Sequence, residues 1–203
     1  MTTGQESAEP LPDAALNQLF REARSFNGWL DKAVSDEQIH AIWELMKFGP
    51  TSANQLPGRF VWCKSAEAKE RLAKHAGEKN RAKITSAPVC VIVGMDREFH
   101  EQLPWLFPHT DARSWFAGSE DLRRQNAFRN SSLQGGYLIM AARALGLDCG
   151  PMSGFDNAAV DAEFFADQPN VTSNFICSIG YGDKASIFAR SPRPEFAVFN
   201  RLR

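Results

Sequence analysis

The sequence predicts an α+β sandwich, a small mixed sheet flanked by helices with one dominant central helix. Helix-like and strand-like segments are interleaved, yet only three or four strands are convincing in 203 residues, too few for a regular doubly wound sheet. The run "PVCVIVG", residues 88–94, is continuously apolar, the pattern of a strand buried on both faces. Residues 120–145 form one long helical stretch, and its middle, "SSLQGGYLIMAARALG", is small and apolar around most of its circumference, as a central helix is.

The elements follow in order. Residues 1–10 are expected to fray. Leu16, Leu19, Phe20 and Ala23 share the i, i+3, i+4, i+7 spacing of a buried helical face. Ser35 and Gln38 form a capping box that opens a second helix, with Ile39, Ile42, Trp43 and Met46 on one side and Gly49-Pro50 as its stop. "FGPTSANQLPGRF", residues 48–60, then spends thirteen residues where about four to six would connect a helix to a strand. Either it is slack surface, or its hydroxyls, amide and backbone groups are aimed at something.

"RFVWC" has strand character and "AEAKERLAKHA" is helical. Residues 99–118 hold two prolines, two histidines and several bulky aromatics with no clean period, and are expected to form a mobile, lid-like or partner-covering excursion. Gly146 can supply the left-handed stop of the long helix. "GPMSGFD" is expected to be a glycine-punctuated loop, Asp156 to cap a short helix through Phe165, and "NFICSIGYG" to be a further strand. With no internal repeat and no long linker, residues 1–203 are expected to be a single domain.

Composition narrows the function. Lys and Arg number 23 against 24 Asp and Glu, so no broad polycationic surface for nucleic acid is implied. No apolar run approaches the roughly 18 residues of a membrane helix. Four cysteines, Cys63, Cys90, Cys149 and Cys177, stand singly without C-x-x-C spacing, which disfavours zinc and fits reduced core residues in a cytoplasmic protein. His40, His75, His100 and His109 lack metal-site spacing. Neither a dinucleotide-binding glycine fingerprint, nor a P-loop, nor a G-x-S-x-G elbow is present.

What remains is a set of separated polar fragments. "RSFN", Arg24 to Asn27, offers a guanidinium, a hydroxyl and an amide suited to phosphate, but an arginine near a helix end and an Asn-Gly turn need no ligand. Asn80 and Lys83 share one side of a helical turn, where a solvated face is the ordinary alternative. Arg190 and Arg193 sit on a proline-braced C-terminal segment that could equally be a plain basic tail.

The order of these fragments resembles the FMN-dependent nitroreductase family over nearly the whole chain. Pro50, Thr51, Ser52, Asn54, Pro57 and Phe60 match its P-S-S-x-N-x-Q-P-W-x-F signature. "FNGW", "MKFGPTSAN", "LPWLFPHTDARSWF", "AFRNSSLQ" and "ALGLDCGPMSGFD" are similar to a branch of malonic semialdehyde reductases linked to pyrimidine breakdown. The resemblance implies a nitroreductase-like sandwich with a mainly antiparallel sheet, an intertwined homodimer, FMN as cofactor, and NADH or NADPH as electron donor. It implies that Arg24, Ser25, Asn27, Arg190 and Arg193 hold the FMN phosphate and that Asn80 and Lys83 face the pyrimidine edge of the flavin. Met152, Ser153 and Gly154 would run beside the flavin N5, and Thr51, Ser52 and Asn54 would reach the flavin of the other subunit.

Two-electron reduction places negative charge at the flavin N1/O2 edge, where an ammonium and an amide would stabilise it. The chain departs from the signature at Asn27, where a cation is usual, and at Leu56-Pro57-Gly58, where Q-P-W is expected. A small anionic carbonyl substrate would need a cation and a proton donor, and Arg113 and His109 are the local candidates. The alternative is that Arg113 pairs with Asp111 and His109 is an ordinary loop residue. The rival functions are a broad nitro, quinone or enone reductase and a non-catalytic flavin-binding module.

Overall fold

A computed structural model describes residues 9–203, so most of the segment expected to fray lies outside the described residues. The helices are α1 (Asp13–Leu16), α2 (Asp36–Met46), α3 (Ala66–Lys74), α4 (Glu78–Thr85), α5 (Leu103–Leu106), α6 (Ser114–Ala117), α7 (Glu120–Ala144), α8 (Asn157–Phe164) and α9 (Phe196–Phe199). The strands are β1 (Gly58–Cys63), β2 (Val89–Asp96), β3 (Asp148–Met152) and β4 (Val171–Gly180), in one sheet of order β1-β2-β4-β3. All three ladders are antiparallel. The one parallel pairing among the described residues is the isolated bridge between Ser25 and Cys149.

The apolar run in β2 explains the layering. Val89, Val91 and Val93 pack with Ile42 and Met46 of α2 and Leu138, Ala141 and Ala142 of α7. Cys90 and Ile92 point the other way, onto Leu72 of α3, Ile84 of α4 and Val160 of α8. Alternate side chains of a strand leave opposite faces, so a strand between two helical layers must be apolar at every position. Helix α2 opens on the Ser35–Gln38 capping box, α7 on the Ser119 side chain accepting from the Leu122 amide, and α8 on Asp156 accepting from Ala159. Gly146 stops α7 at φ +76°. No helix among the described residues is long and apolar enough to cross a membrane.

Two expectations change. The first helix is short, its last turn is a π-turn over Asn17–Arg21, and none of its residues is fully buried; Phe20 of the expected core face is 58% exposed. Residues 150–152 of the expected "GPMSGFD" loop belong to β3. Proline is tolerated there because β3 is an edge strand, where a missing N–H need not break a ladder. Within the 99–118 segment, Phe99, Leu103, Ala112 and Phe116 form a third apolar cluster with Ala127 of α7. All four cysteines are free and buried, and burial pushes the Cys63 thiol up to about 12 and that of Cys90 to about 11. Both are therefore poor nucleophiles at neutral pH.

Candidate functional site

Strand β3 organises the site because its outer edge is free of a further strand. The Phe26 amide donates to the Cys149 carbonyl at 3.1 Å, so residues 24–27 run along that edge. At the far end the chain leaves β3 through Met152, Ser153 and Gly154. The Gly154 carbonyl accepts from the Gly77 amide at 2.9 Å and from Asn80 Nδ2 at 3.0 Å. Gly154 lies five residues on from Cys149, at most about 17 Å along the chain. Two fragments that are remote in sequence thus mark the ends of one strip.

The C-terminal basic segment closes the first end. Arg24 donates to the Phe188 carbonyl, Arg190 to the Ala23 carbonyl at 3.0 Å, and the Gly28 amide to Ser186 Oγ at 3.0 Å. Asn27 reaches the Ser186 carbonyl only at 3.4 Å. Arg24, Ser25, Asn27, Arg190, Ser191 and Arg193 line a cavity of about 330 Å³. Among the described residues no carboxylate pairs with any of these three guanidiniums. Three cationic forks with hydroxyl and amide groups around a small open cavity form a donor set that fits a dianionic phosphate.

At the other end, Asn80 and Lys83 lie one turn apart on α4. Trp29 Nε1 and Ser178 Oγ both donate to the Lys83 carbonyl, at 3.3 and 3.2 Å, and fix that turn. The Lys83 ammonium is half-buried and has no carboxylate partner among the described residues. A Cβ at residue 154 would sit 2.8 Å from Asn80 Nδ2, so a larger residue there would displace the Asn80 amide.

The 48–60 loop is strongly specified. Ala53, Asn54 and Leu56 all take positive φ, at 47°, 49° and 41°. Such conformations cost about 1–3 kcal/mol each for residues with a side chain, so contacts must hold them. The Ser52 amide donates to Asn130 Oδ1 at 2.9 Å, the Leu56 amide to Thr51 Oγ1 at 3.2 Å, and Asn54 Nδ2 to the Leu106 carbonyl at 2.8 Å. The Gly58 amide donates to Gln134 Oε1 at 2.7 Å, and a Cβ at Gly58 would lie 2.8 Å from both Gln134 Oε1 and Phe60 Cζ. The tryptophan of the signature has no room in this arrangement.

His109 is exposed, its ring edge-on to Phe107 at 5.2 Å. The Arg113 fork is taken by Glu101, at 2.8 and 2.6 Å, rather than by Asp111, whose carboxylate accepts from the Ser114 amide. The Arg113 hydrogen bond holds the Glu101 carboxyl below its usual range. Buried His100 lies 3.6 Å from Glu98 and 3.3 Å from Glu101, and Arg123 and Arg113 already neutralise those two carboxylates.

Sequence reasoning missed Gln55, Asn126, Asn130, Gln134 and Ser186. The first four are buried amides that hold the loop. The available signal was three amides at i, i+4 and i+8, which puts them on one face of the long helix.

A profile described as "Nitroreductase family" matches residues 20–182. A Burkholderia lata protein named "Putative NADH dehydrogenase/NAD(P)H nitroreductase" is 62% identical over 192 residues, covering 95% of this chain and 98% of that protein. One of the same name from Xanthomonas oryzae pv. oryzae is 56% identical over 189 residues, covering 93% and 96%. Among solved structures, a Bacillus subtilis nitroreductase superposes with TM-score 0.83 at 21% identity, covering 95% of this chain and all of that one. A nitroreductase from Exiguobacterium sibiricum, solved in complex with FMN, gives TM-score 0.82 at 20% identity, covering 98% and 99%.

Proposed function

The chain belongs to the nitroreductase family, and on that premise we propose that it is an FMN-dependent NAD(P)H oxidoreductase working by alternating, ping-pong turnover in one pocket. The observation that carries the reading is the convergence of Arg24, Ser25, Asn27, Arg190 and Arg193 on one cavity at one end of β3, with Asn80 and Gly154 at the other. FMN, when bound, supplies a ring nitrogen that accepts hydride from the nicotinamide and passes it to an acceptor. The arginines would grip its phosphate. Asn80 and Lys83 would offset the charge that builds on the ring, and the backbone of Met152–Gly154 would line its edge. Thr51, Ser52 and Asn54 would approach the ring of the partner subunit in a homodimer.

Dimerisation is supported by exposed apolar surface. Phe20, Leu45, Phe48 and Leu133 stand open on one chain, as do Phe196, Val198, Phe199 and Leu202 of the C-terminal segment. Exposed large apolar side chains are the groups that a protein interface buries. The decisive test is the absorption spectrum of freshly purified protein. A flavin band that bleaches anaerobically with NADH or NADPH supports the reading, and a colourless protein that takes up no FMN refutes it. A bound flavin that resists bleaching would indicate the non-catalytic module instead.

For the acceptor we propose malonic semialdehyde, reduced to 3-hydroxypropanoate in pyrimidine breakdown in the cytoplasm. Its support is the run of segments shared with that branch. Arg113 would bind the carboxylate by exchanging it for Glu101, and His109 would deliver the proton to the carbonyl oxygen. The second reading, a broad nitro, quinone or enone reductase, is favoured by the exposure of Trp105 (76%) and Trp115 (53%) beside Phe107, an apolar platform without a free cation. Comparing kcat/KM for malonic semialdehyde and for a nitroaromatic separates them.

A further inference from the structure

Three of the amide side chains of helix α7, Asn126, Asn130 and Gln134, are spaced four residues apart and therefore stacked on one face. Their exposures are 7%, 1% and 1%, and Gln55, which meets them from the loop, is 0% exposed. Gln55 Nε2 donates to Asn126 Oδ1 at 3.3 Å, while Asn130 Nδ2 donates to Gln55 Oε1 at 3.2 Å. Asn130 Oδ1 takes the Ser52 amide at 2.9 Å, and Gln134 Oε1 takes the Gly58 amide at 2.7 Å. Asn126 and Asn130 spend their remaining donors on the Leu122 and Asn126 carbonyls, at 2.9 Å each.

We propose that this buried amide ladder is a template that fixes the register of residues 51–58, with Asn130 as the main positioning residue, so that Thr51, Ser52 and Asn54 are presented in one geometry to the flavin ring. An apolar face of α7 could bury an apolar loop, but it could not specify where the Ser52 and Gly58 amides lie. Hydrogen bonds are directional, and a buried donor left unpaired is costly. The ladder spans both ends of the segment that contains the three positive-φ residues. Between those anchors the Gln55 side chain closes a reciprocal pair with Asn126 and Asn130. The Thr51 and Asn54 side chains are fixed from outside the ladder, by the Leu56 amide and the Leu106 carbonyl.

The role toward the flavin rests on the FMN reading, whereas the templating role does not, and the experiment separates the two. Asn130→Leu, which keeps size and removes both hydrogen bonds to the loop together with the one to the Asn126 carbonyl, is compared with Asn130→Asp, which keeps the acceptor for Ser52 and loses the donor to Gln55. Hydrogen exchange is followed on FMN-free protein. Expected for Asn130→Leu is exchange at least about tenfold faster in residues 51–58, about 1.4 kcal/mol of lost protection, with β2 and β4 unchanged and Asn130→Asp intermediate. Titration with FMN and with riboflavin should show Kd rising by the same factor for both, because the loop faces the ring. Arg24→Ala should weaken FMN alone.

Unchanged exchange in 51–58 overturns the template. Faster exchange with both Kd values unchanged overturns the positioning role and leaves a purely architectural ladder. Wild-type protein that binds neither flavin refutes the cofactor reading while the exchange result still stands. If Asn130→Leu does not fold, Gln55→Glu, which keeps shape but places an acceptor against Asn126 Oδ1, supplies the same comparison.

Discussion

Substituting Gly150 by alanine should loosen the phosphate end of the site while leaving the sheet intact. An ideal Cβ at Gly150 lies 2.5 Å from the Phe26 carbonyl oxygen, a backbone atom, and 3.3 Å from Trp29 Cζ2. Ordinary contact for a Cβ begins near 3.4 Å, so residues 24–27 must retreat from β3 by about 0.9 Å. They cannot do so freely, because the Phe26 amide is bonded to the Cys149 carbonyl beside Gly150. Overpacking of this kind costs about 1–3 kcal/mol. For a chain of 203 residues that is a fall in melting temperature of roughly 2–12 °C, at about 2–4 °C per kcal/mol. The same retreat moves Arg24, Ser25 and Asn27 together, and misplacement approaching 1 Å can cost on the order of a hundredfold in a positioned interaction. FMN titration of Gly150→Ala should therefore show Kd raised by about ten- to a hundredfold, with riboflavin affinity much less affected. Wild-type melting and wild-type FMN affinity in this variant would refute the close-approach argument. Equal losses for FMN and riboflavin would refute the assignment of residues 24–27 to the phosphate.

Lys83→Met should lower the reduction potential of bound flavin, since it removes a half-buried cation from the edge that becomes negative; an unchanged potential in a dye-coupled titration removes that role. Arg113→Ala should raise KM for malonic semialdehyde with little change for a nitroaromatic, and an unaltered KM sinks the carboxylate clamp. Initial rates should give parallel double-reciprocal lines, and intersecting lines would rule out the alternating mechanism. The Arg71 hydrogen bond, followed by that of His75, holds the Glu163 carboxyl below its usual range. A depressed carboxylate contributes stability that is fully present above the unfolded value, about 4.3, and is lost as pH falls through the lower folded value. Glu163→Gln should therefore melt below wild type at neutral pH and converge with it on acidification, which a series of melting curves against pH will read.

Much of the layering was legible because it follows from period alone. The apolar run of β2, the capping box at Ser35 and the left-handed Gly146 are local signals whose meaning does not depend on what lies opposite. The first helix was misjudged for the opposite reason. Its apolar spacing is real, but among the described residues no partner layer covers Phe20, and periodicity says that a face is apolar without saying what buries it. Strand β3 was hidden by Gly150 and Pro151, which argue against a strand unless it is known to be an edge. Edge position depends on sheet order, which a single sequence does not encode.

The candidate site shows the same division. Arg24, Asn27, Arg190 and Arg193 were visible as chemistry, but it takes the pairing of residues 25–26 with Cys149 and the hydrogen bonds of residues 23, 24 and 28 to the C-terminal segment to bring them to one cavity. The 48–60 loop is the sharper case. Its threonine, serine and asparagine suggested groups aimed at a ligand, yet the Ser52 amide and all of Gln55 are committed to the buried amides of α7, and the exposed Asn54 side chain is bonded to the Leu106 carbonyl. A loop that must hold positive φ at three residues needs internal bonds at both ends before it can present anything outward. Thirteen residues are long for a connection, but they suffice for a segment that anchors itself on α7 at Ser52 and Gly58 and still carries Thr51, Ser52 and Asn54 at its surface. Its length follows from having two faces to satisfy, and the amides of α7 are the half of that requirement that lies seventy residues away in the sequence.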